Sequence, residues 1–434
     1  MVGSSRVLES KVLAAMAMPK FRERFSSILS AWFPFAVLAA LTPTIPAQEL
    51  MPVAIPGGGV HLFNSDATVL EAQEVRKDLP CTVTPVKPEL GFDLKFHAGY
   101  EVTIPLRELA GPENMLTMVF RVVPEGHEDE AVYFSQHIAV PSIAEDAGGP
   151  AYLQGSFDVG EGSYHVDWLM RDRAERVCSN NWDIEATLPP KDKQMALDIL
   201  PDVIRAADAE PFKQEPPVER TARNEPLNVK VVVNFAPQDS GAATLQPLDL
   251  NALVSILRNI AREPRITRFS IVAFNMQEQR VIYRDDSASQ IDFPALGKAL
   301  KSLNLGTVDL KQLSQKHGDS EFLGTLITKE LTADKQAPDA VIFAGPKVML
   351  ESGFSDETLK QLADVKTPVF YMNYNLNPQV NPWRDAIGNA VKAAKGSEFT
   401  ISRPRDLFFS WTEIITRIVK SKFSRTSGAP ATSQ

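Results

Sequence analysis

The residue types that carry enzyme and metal chemistry are sparse in this sequence, and their spacing does not suit such chemistry. No two of its six histidines have the His-x-x-x-His spacing that places two ligands on one helix face. The run His127-Glu128-Asp129-Glu130 has cation-binding residue types, but a short acidic run between predicted strands is typical of a solvated loop. His317 has no nucleophilic serine on a strand-to-helix elbow beside it. We therefore expect no catalytic residue, no resident metal and no cofactor.

The two cysteines, Cys81 and Cys178, form a single even pair. Neither has a histidine or asparagine near it in a recognisable catalytic motif. In an oxidising compartment an even pair forms a disulfide readily, whereas in a reducing one both residues stay free thiols. We expect the disulfide, and with it two residues whose Cα atoms lie about 4.4 to 6.8 Å apart.

The elements of the N-terminal half are predicted to be short strands. Its apolar residues recur with period two and are interrupted by turn residues, as half-buried strands require. Several strands at short intervals indicate an all-β, sandwich-like domain over residues 48–188. The predicted strands are Tyr100–Leu106, Leu116–Val123, Ala131–Val140, Tyr152–Val159, Ser163–Arg171 and Asn181–Leu188.

A change of composition marks the predicted domain boundary. Residues 189–226 mix seven prolines with many charges, which is typical of a linker, and a helix is predicted inside it over Lys193–Ala207. From 227 to 423 strand and helix patterns alternate, as in a parallel sheet covered on both faces. The C-terminal domain is therefore expected to be α/β and doubly wound. The residues 424–434 are expected to be a disordered tail.

Two local patterns in the second half resemble the von Willebrand factor A (vWA) domain. One is the first strand, Val229–Val233, which leads into a loop and a long helix. The other is the stretch from Lys395 to Thr400, which precedes Arg405-Asp406-Leu407 and a closing amphipathic helix. The resemblance implies a Rossmann-like sheet with a binding surface at the carboxyl ends of its strands.

The metal motif that the resemblance implies is degenerate here. The family's Asp-x-Ser-x-Ser sequence corresponds to Asn234–Gln238, and its Thr-Asp-Gly sequence corresponds to Ala344-Gly345-Pro346. Both expected carboxylates are replaced, and Mg²⁺ needs such hard, charged ligands. The candidate ligand-facing residues are Asn234, Gln238, Asp239, Asp319 and Ser320. Asp239 and Asp319-Ser320 have two readings: an atypical metal site, or a turn and a helix cap, and we expect the turn and cap.

The beginning of the chain resembles an export signal. Basic residues around Lys20 precede an apolar run from Ile28 to Leu41, which is short for a bilayer span and contains Pro34. A membrane anchor is the alternative reading. We expect residues 1–47 to be a signal peptide, cleaved after Ala47, with Met18 as a second candidate start. The protein would then be periplasmic or extracellular and keep no stable membrane anchor.

Three functional hypotheses follow from these patterns. The net charge of −9, without clustered Lys and Arg, argues against a nucleic-acid partner. The first hypothesis is a non-enzymatic binding protein with a metal-free vWA-like domain, whose partner is another exported protein or a surface polymer. The second is a metal-dependent vWA adhesion domain with an atypical site. The third is an exported α/β enzyme of unknown activity.

Overall fold

The protein is described by a computed structural model that covers residues 49–51, 63–208, 210–220, 226–239, 242, 244–303, 317–332, 337–350, 352–376 and 385–427. The predicted signal peptide, its cleavage site and residues 428–434 lie outside the described residues. Contacts divide the chain into two units. Unit 1 holds the chain up to Glu89 together with Lys95–Leu188 and Leu197–Ala209. Unit 2 holds Leu90–Leu94, Pro189–Ala196 and the chain from Glu210 onward.

The described part of unit 1 contains two β-sheets and one short α-helix. The first sheet has the order β1-β5-β4-β7-β8, and the second has the order β2-β3-β6-β9. The pairings whose direction is defined, such as β4 with β7 and β3 with β6, are antiparallel. The strands are β1 Glu49–Met51, β2 Thr82–Leu90, β3 Phe96–Pro105, β4 Asn114–Pro124, β5 Val132–Val140, β6 Pro150–Val159, β7 Gly162–Arg171, β8 Val177–Ala186 and β9 Ile204–Ala206, and the helix is α1 Asn64–Glu71.

Aromatic side chains fill the space between the two sheets of unit 1. Alternate residues of β7, including Val166 and Trp168, are fully buried, as the period-two pattern requires. The ring of Tyr100 on β3 lies 5.4 Å from the rings of both Phe120 and Trp168 on the other sheet, in edge-to-face geometry. Each such aromatic pair stabilises the fold by about 0.5–1.5 kcal/mol in addition to the stabilisation from buried surface area. The N-terminal region is therefore β-rich with antiparallel sheets, as expected, but it is not all-β, because it also contains helix α1.

The disulfide between Cys81 and Cys178 is present, and the two Cα atoms are 6.3 Å apart. It joins the segment that follows α1 to strand β8, where Lys77 also forms a bridge to Cys178. Helix α1 covers the outer face of the first sheet with Val69 and Leu70, which contact Leu169 on β7. The predicted disulfide is therefore confirmed, and it anchors a helix that the sequence patterns did not predict.

Unit 2 contains a six-stranded mixed sheet with helices on both faces. The sheet order is β12-β11-β10-β13-β14-β15, and only the edge strand β12 is antiparallel to its neighbour. The predicted α/β character is confirmed. The elements are β10 Leu227–Asn234, α2 Pro247–Ala261, β11 Ile266–Asn275, β12 Arg280–Ala288, α3 Phe293–Leu300, α4 Gly318–Thr332, β13 Ala340–Pro346, α5 Asp356–Ala363, β14 Val369–Tyr374, α6 Ala386–Ala393, β15 Ser397–Ile401 and α7 Pro404–Ser427.

Each face of this sheet has its own hydrophobic core. Val231 and Val233 of β10 face a core built with α2, α3 and α7. Val232, which points the other way, faces a core built with α4, α5 and α6. Because both faces are covered, every residue of β10 from Val229 to Asn234 is buried, and the one charged residue among them, Lys230, pairs with Glu330 at 3.3 Å. None of the described helices is both long and apolar enough to span a bilayer.

Three sequence expectations differ from the structure in the segments that flank the main part of the α/β unit. No helix forms over Lys193–Ala207, because Pro201 falls inside the predicted helix. The last part of this segment forms the short strand β9 instead. The proposed linker 189–226 also contributes residues to both units. At the other end, α7 continues to Ser427, so residues 424–427 of the expected disordered tail are helical.

Candidate functional site at the carboxyl edge of the parallel sheet

The carboxyl edge of the unit 2 sheet is the candidate site because the chain changes direction there. From β10 the chain passes to α2 on one face of the sheet, and from β13 it passes to α5 on the other face. The loops therefore diverge between two neighbouring parallel strands. In open α/β sheets, ligands gather in the crevice outside the carboxyl ends of strands at such a point.

Asn234 is the last residue of β10 and is fully buried. Its Oδ1 accepts a hydrogen bond from the backbone N–H of Met276 at 3.2 Å, while its Nδ2 has no hydrogen-bond partner. The backbone of Gly345 on β13 approaches this residue closely. A Cβ on Gly345 would lie 2.8 Å from Cβ of Asn234, and φ of Gly345 is +147°. Asn234 thus lies behind the surface rather than facing a ligand.

Two further asparagines lie near the carboxyl ends of other strands of the same sheet. Asn275 ends β11, and its Nδ2 donates to the carbonyl oxygen of Phe235 at 2.6 Å. Asn373 lies on β14 opposite Gly345, and its Nδ2 donates to Oε1 of Glu398 at 2.8 Å. Both asparagines are fully buried, and Oδ1 of Asn373 has no hydrogen-bond partner. The edge is therefore lined with neutral amides.

Gln238 connects the loop after β10 to the loop after β14. Its Oε1 accepts a hydrogen bond from the N–H of Leu376 at 2.6 Å. The backbone N–H of Gln238 points at Oδ1 of Asp249, 3.4 Å away in the first turn of α2. Burial raises the pKa of Asp249, although hydrogen bonds from Gln238 and Gln246 oppose that shift. Gln238 therefore positions the loops at this edge.

The other candidate residues lie on two separate elements. Asp239 is exposed just after Gln238, and its carbonyl oxygen accepts from the N–H of Ala242, as in a turn. Asp319 and Ser320 are in the first turn of α4 and are partly exposed. Oδ1 of Asp319 accepts from the N–H of Ser320 at 2.7 Å, and Oγ of Ser320 lies 2.9 Å from Oγ of Ser352. These contacts are those of a turn and of a helix start.

Asp385 is a buried carboxylate at this edge that the sequence analysis missed. It is 8% exposed, and its Oδ1 accepts from the backbone N–H groups of Val348 and Ile387, both at 3.1 Å. Burial raises the pKa of Asp385 to about 6, and the nearby Glu398 adds to the shift. The available signal was an aspartate directly before the apolar pattern of α6, which is a helix-start signal.

A second polar cluster lies on the first sheet of unit 1. His165 is held between two carboxylates, with Nδ1 2.6 Å from Oδ1 of Asp183 and Nε2 3.0 Å from Oδ1 of Asp167. Nε of Arg121 lies 3.5 Å from Oδ2 of Asp167. Burial raises the pKa of Asp167, against the opposing charges of His165 and Arg121. The residues of this cluster connect neighbouring strands of the sheet.

Neither polar region has the donor set of a metal centre. Within the described ranges, no group of three or more His, Cys, Asp or Glu residues could hold a metal ion. The acidic run at 128–130 forms a short, exposed 3-10 turn. The candidate residues that are exposed or partly exposed at the carboxyl edge are Gln238, Asp239, Asp319 and Ser320, whose side chains carry amide, carboxylate and hydroxyl groups.

Comparison with known proteins gives only distant likenesses. No family model and no curated protein matches this chain. The PilB minor pilin from Streptococcus sanguinis is 7% identical, with 72% of this chain and 89% of the pilin covered and a TM-score of 0.27. A beta-glucuronidase from Bacteroides uniformis is 9% identical, with 73% of this chain covered and a TM-score of 0.18. The alkylpurine DNA glycosylase AlkC from Pseudomonas fluorescens is 16% identical over 28% of this chain, with a TM-score of 0.17.

The extent of these likenesses is small. This chain spans 38% of the length of the beta-glucuronidase and 34% of the length of AlkC. At these TM-scores none of the three likenesses bears on the fold or the function of the chain.

Proposed function

We propose that this chain is an exported, non-enzymatic binding protein whose unit 2 is a vWA-like domain that works without a metal. The strand order of unit 2 supports the fold part of this proposal. Numbered from β10, the order is 3-2-1-4-5-6, which is that of a doubly wound sheet with ligands at its switch point. The disulfide supports export, because such bonds persist mainly outside the cytoplasm.

The proposal that unit 2 works without a metal rests on the environment of Asn234. The side chain is fully buried, with its Oδ1 bonded to the backbone and its Cβ close to Gly345. A neutral amide costs far less to bury than a carboxylate, which needs a paired charge. The position therefore suits the residue that is present, and an acidic metal ligand there would need a cation to offset its charge.

The binding surface in this proposal is formed by residues that follow β10 and residues in the first turn of α4. Gln238 fixes the first loop, which exposes Asp239, and Asp319 and Ser320 are partly exposed at the start of α4. These groups bind by hydrogen bonds and charge. The partner in this proposal is another exported protein or a surface polymer.

Affinity capture with and without divalent metal tests this function. The purified chain, as bait, is exposed to the envelope fraction of its own cell in the presence of EDTA or of Mg²⁺. We expect one partner to be retained equally in both conditions, because no step of binding uses a metal. Bait with Asp239→Ala or Asp319→Ala should lose that partner.

A matched control is available on the opposite edge of the sheet. Asp364 is an exposed aspartate at the end of α5, so Asp364→Ala removes the same charge away from the carboxyl edge and should retain the partner. The alternative is a metal-dependent adhesion domain. It would be supported if the partner were retained only with Mg²⁺, and if calorimetry showed saturable Mg²⁺ binding that Asp239→Ala abolishes.

A further inference from the structure

Among the residues that the structure describes, one edge of the second sheet of unit 1 has no paired strand along most of β6. Strand β6 pairs with β3 along its whole length, from Pro150 to Val159. On its other side, in the described part of the chain, β9 pairs only with Phe157–Val159. The segment Pro150–Ser156 therefore presents backbone N–H and C=O groups outward, in line with β9. We call this segment the open edge.

The opposite edge of the same sheet has the features that block strand addition. Strand β2 contains Pro85 and Pro88, and Lys87 lies between them. Proline removes a ladder N–H, and lysine on an edge strand opposes pairing with another chain. In the open edge, the only proline is the first residue, Pro150. The two edges of this sheet thus differ in how well they are protected against the addition of another strand.

The side chains of the open edge are uncharged and alternate between exposed and buried. No charged residue occurs from Ala147 to Phe157. Tyr152 is 63% exposed and Gln154 is also exposed, whereas Leu153 is buried. A highly charged partner strand would find no complementary charge here. A strand of the same sequence would meet no like charge, and aromatic residues such as Tyr152 are enriched at interface centres.

We propose that the open edge pairs with the open edge of a second copy of this chain, antiparallel and centred on Leu153. In this register Tyr152 of each copy lies opposite Gln154 of the other, on the solvent face of the joined sheet. Leu153 lies opposite its own equivalent, and Ala151 lies opposite Gly155. Pro150 comes opposite Ser156, so its missing N–H falls at the end of the ladder. The contact is self-complementary, as a twofold interface requires.

The length of the open edge sets the strength of this contact. An extended segment of this length spans roughly 23 Å, and a contact of that size buries less than the roughly 1,200–2,000 Å² typical of stable interfaces. The association is therefore concentration-dependent and reversible. It concerns unit 1 only and is independent of metal use or partner binding in unit 2.

Sedimentation velocity of the full chain between about 10 µM and about 1 mM tests the proposal. The weight-average mass should rise toward that of a dimer. Tyr152→Lys with Gln154→Lys places like charges opposite each other twice and should raise the dissociation constant about tenfold or more. Tyr152→Lys with Gln154→Glu places opposite charges there and should restore association. Val86→Lys, on the exposed and blocked strand β2, is the matched control and should change nothing.

Disulfide trapping tests the register separately from the affinity. In a mixture of a Tyr152→Cys chain and a Gln154→Cys chain, oxidation should yield the mixed dimer in excess over either homodimer. Circular dichroism of each variant establishes that unit 1 is folded. A wild-type chain that stays monomeric over the whole range overturns the proposal. So does an unchanged dissociation constant in the double-lysine variant, or trapping without preference for the mixed dimer.

Discussion

Gly345 shows how closely two strands approach at the carboxyl edge of the unit 2 sheet. Its φ of +147° is a conformation that only glycine adopts readily, and an added Cβ would lie 2.8 Å from Cβ of Asn234. The substitution Gly345→Ala should therefore lower the free energy of unfolding by about 1–3 kcal/mol. Denaturant unfolding measures this. Gly353→Ala, where nothing lies within 4 Å of the new Cβ, is the control and should have a much smaller effect.

Asp385 should make the stability of unit 2 depend on pH. In the unfolded chain this aspartate titrates near 3.8, whereas burial raises its pKa in the folded protein to about 6. The folded protein therefore binds a proton more readily, so this contribution is present at low pH and is lost as pH rises from about 4 to about 6. The loss is on the order of 2–3 kcal/mol.

The variant Asp385→Asn isolates this contribution. Asparagine keeps an acceptor for the N–H groups of Val348 and Ile387 and cannot ionise. Relative to this variant, the wild-type protein should lose stability between pH 4 and pH 7 in denaturant unfolding. Parallel stability profiles for the two proteins would contradict the assignment.

At the scale of single residues, the sequence allowed part of the candidate site to be predicted. The turn at Asp239 and the helix start at Asp319 followed from residue type alone, and the structure has both. The burial of Asn234 and Asn373 could not be predicted, because it depends on which strands become neighbours. Asp385 and Asn373 were missed for the same reason: their partners Val348 and Glu398 are distant in sequence.

At the scale of one element, helix α5 begins at a residue whose type alone indicates a helix start. Serine is a residue type preferred at helix starts, and Oγ of Ser355 accepts a hydrogen bond from the N–H of Thr358 at 3.2 Å. Ser355→Ala should therefore lower the free energy of unfolding by about 1 kcal/mol. Ser355→Asp, which keeps the acceptor, should stay near wild type in the same denaturant titration. Equal losses in both variants would exclude capping as the cause.

The strands and most helices were predictable because their apolar periods are long and regular. The helix expected over Lys193–Ala207 failed for a local reason, since Pro201 interrupts it. Helix α1 was missed because only Asp66, Val69 and Leu70 of its residues are buried, which gives a weak pattern. Strand β9 has three residues and exists only through its pairing with β6, so no pattern in its own sequence indicates it.

The disulfide stabilises the molecule by restricting its unfolded chain. It closes a loop with a sequence separation of 97 residues. The double variant Cys81→Ala/Cys178→Ala should lose roughly 2–5 kcal/mol of stability in denaturant unfolding. A reducing agent should impose a similar loss on the wild-type protein and none on the variant. A variant as stable as the oxidised wild type would show that the bond has no such role.

The division of the chain between the two units has a consequence for biosynthesis. Leu90–Leu94 belongs to unit 2, and its Phe92 packs against the core formed by strands β10, β11, β13 and β14. The ribosome makes Phe92 more than a hundred residues before the first of those strands. Domains usually fold in order as the N-terminal part emerges. Here an apolar side chain stays uncovered until the strands that cover it have been synthesised.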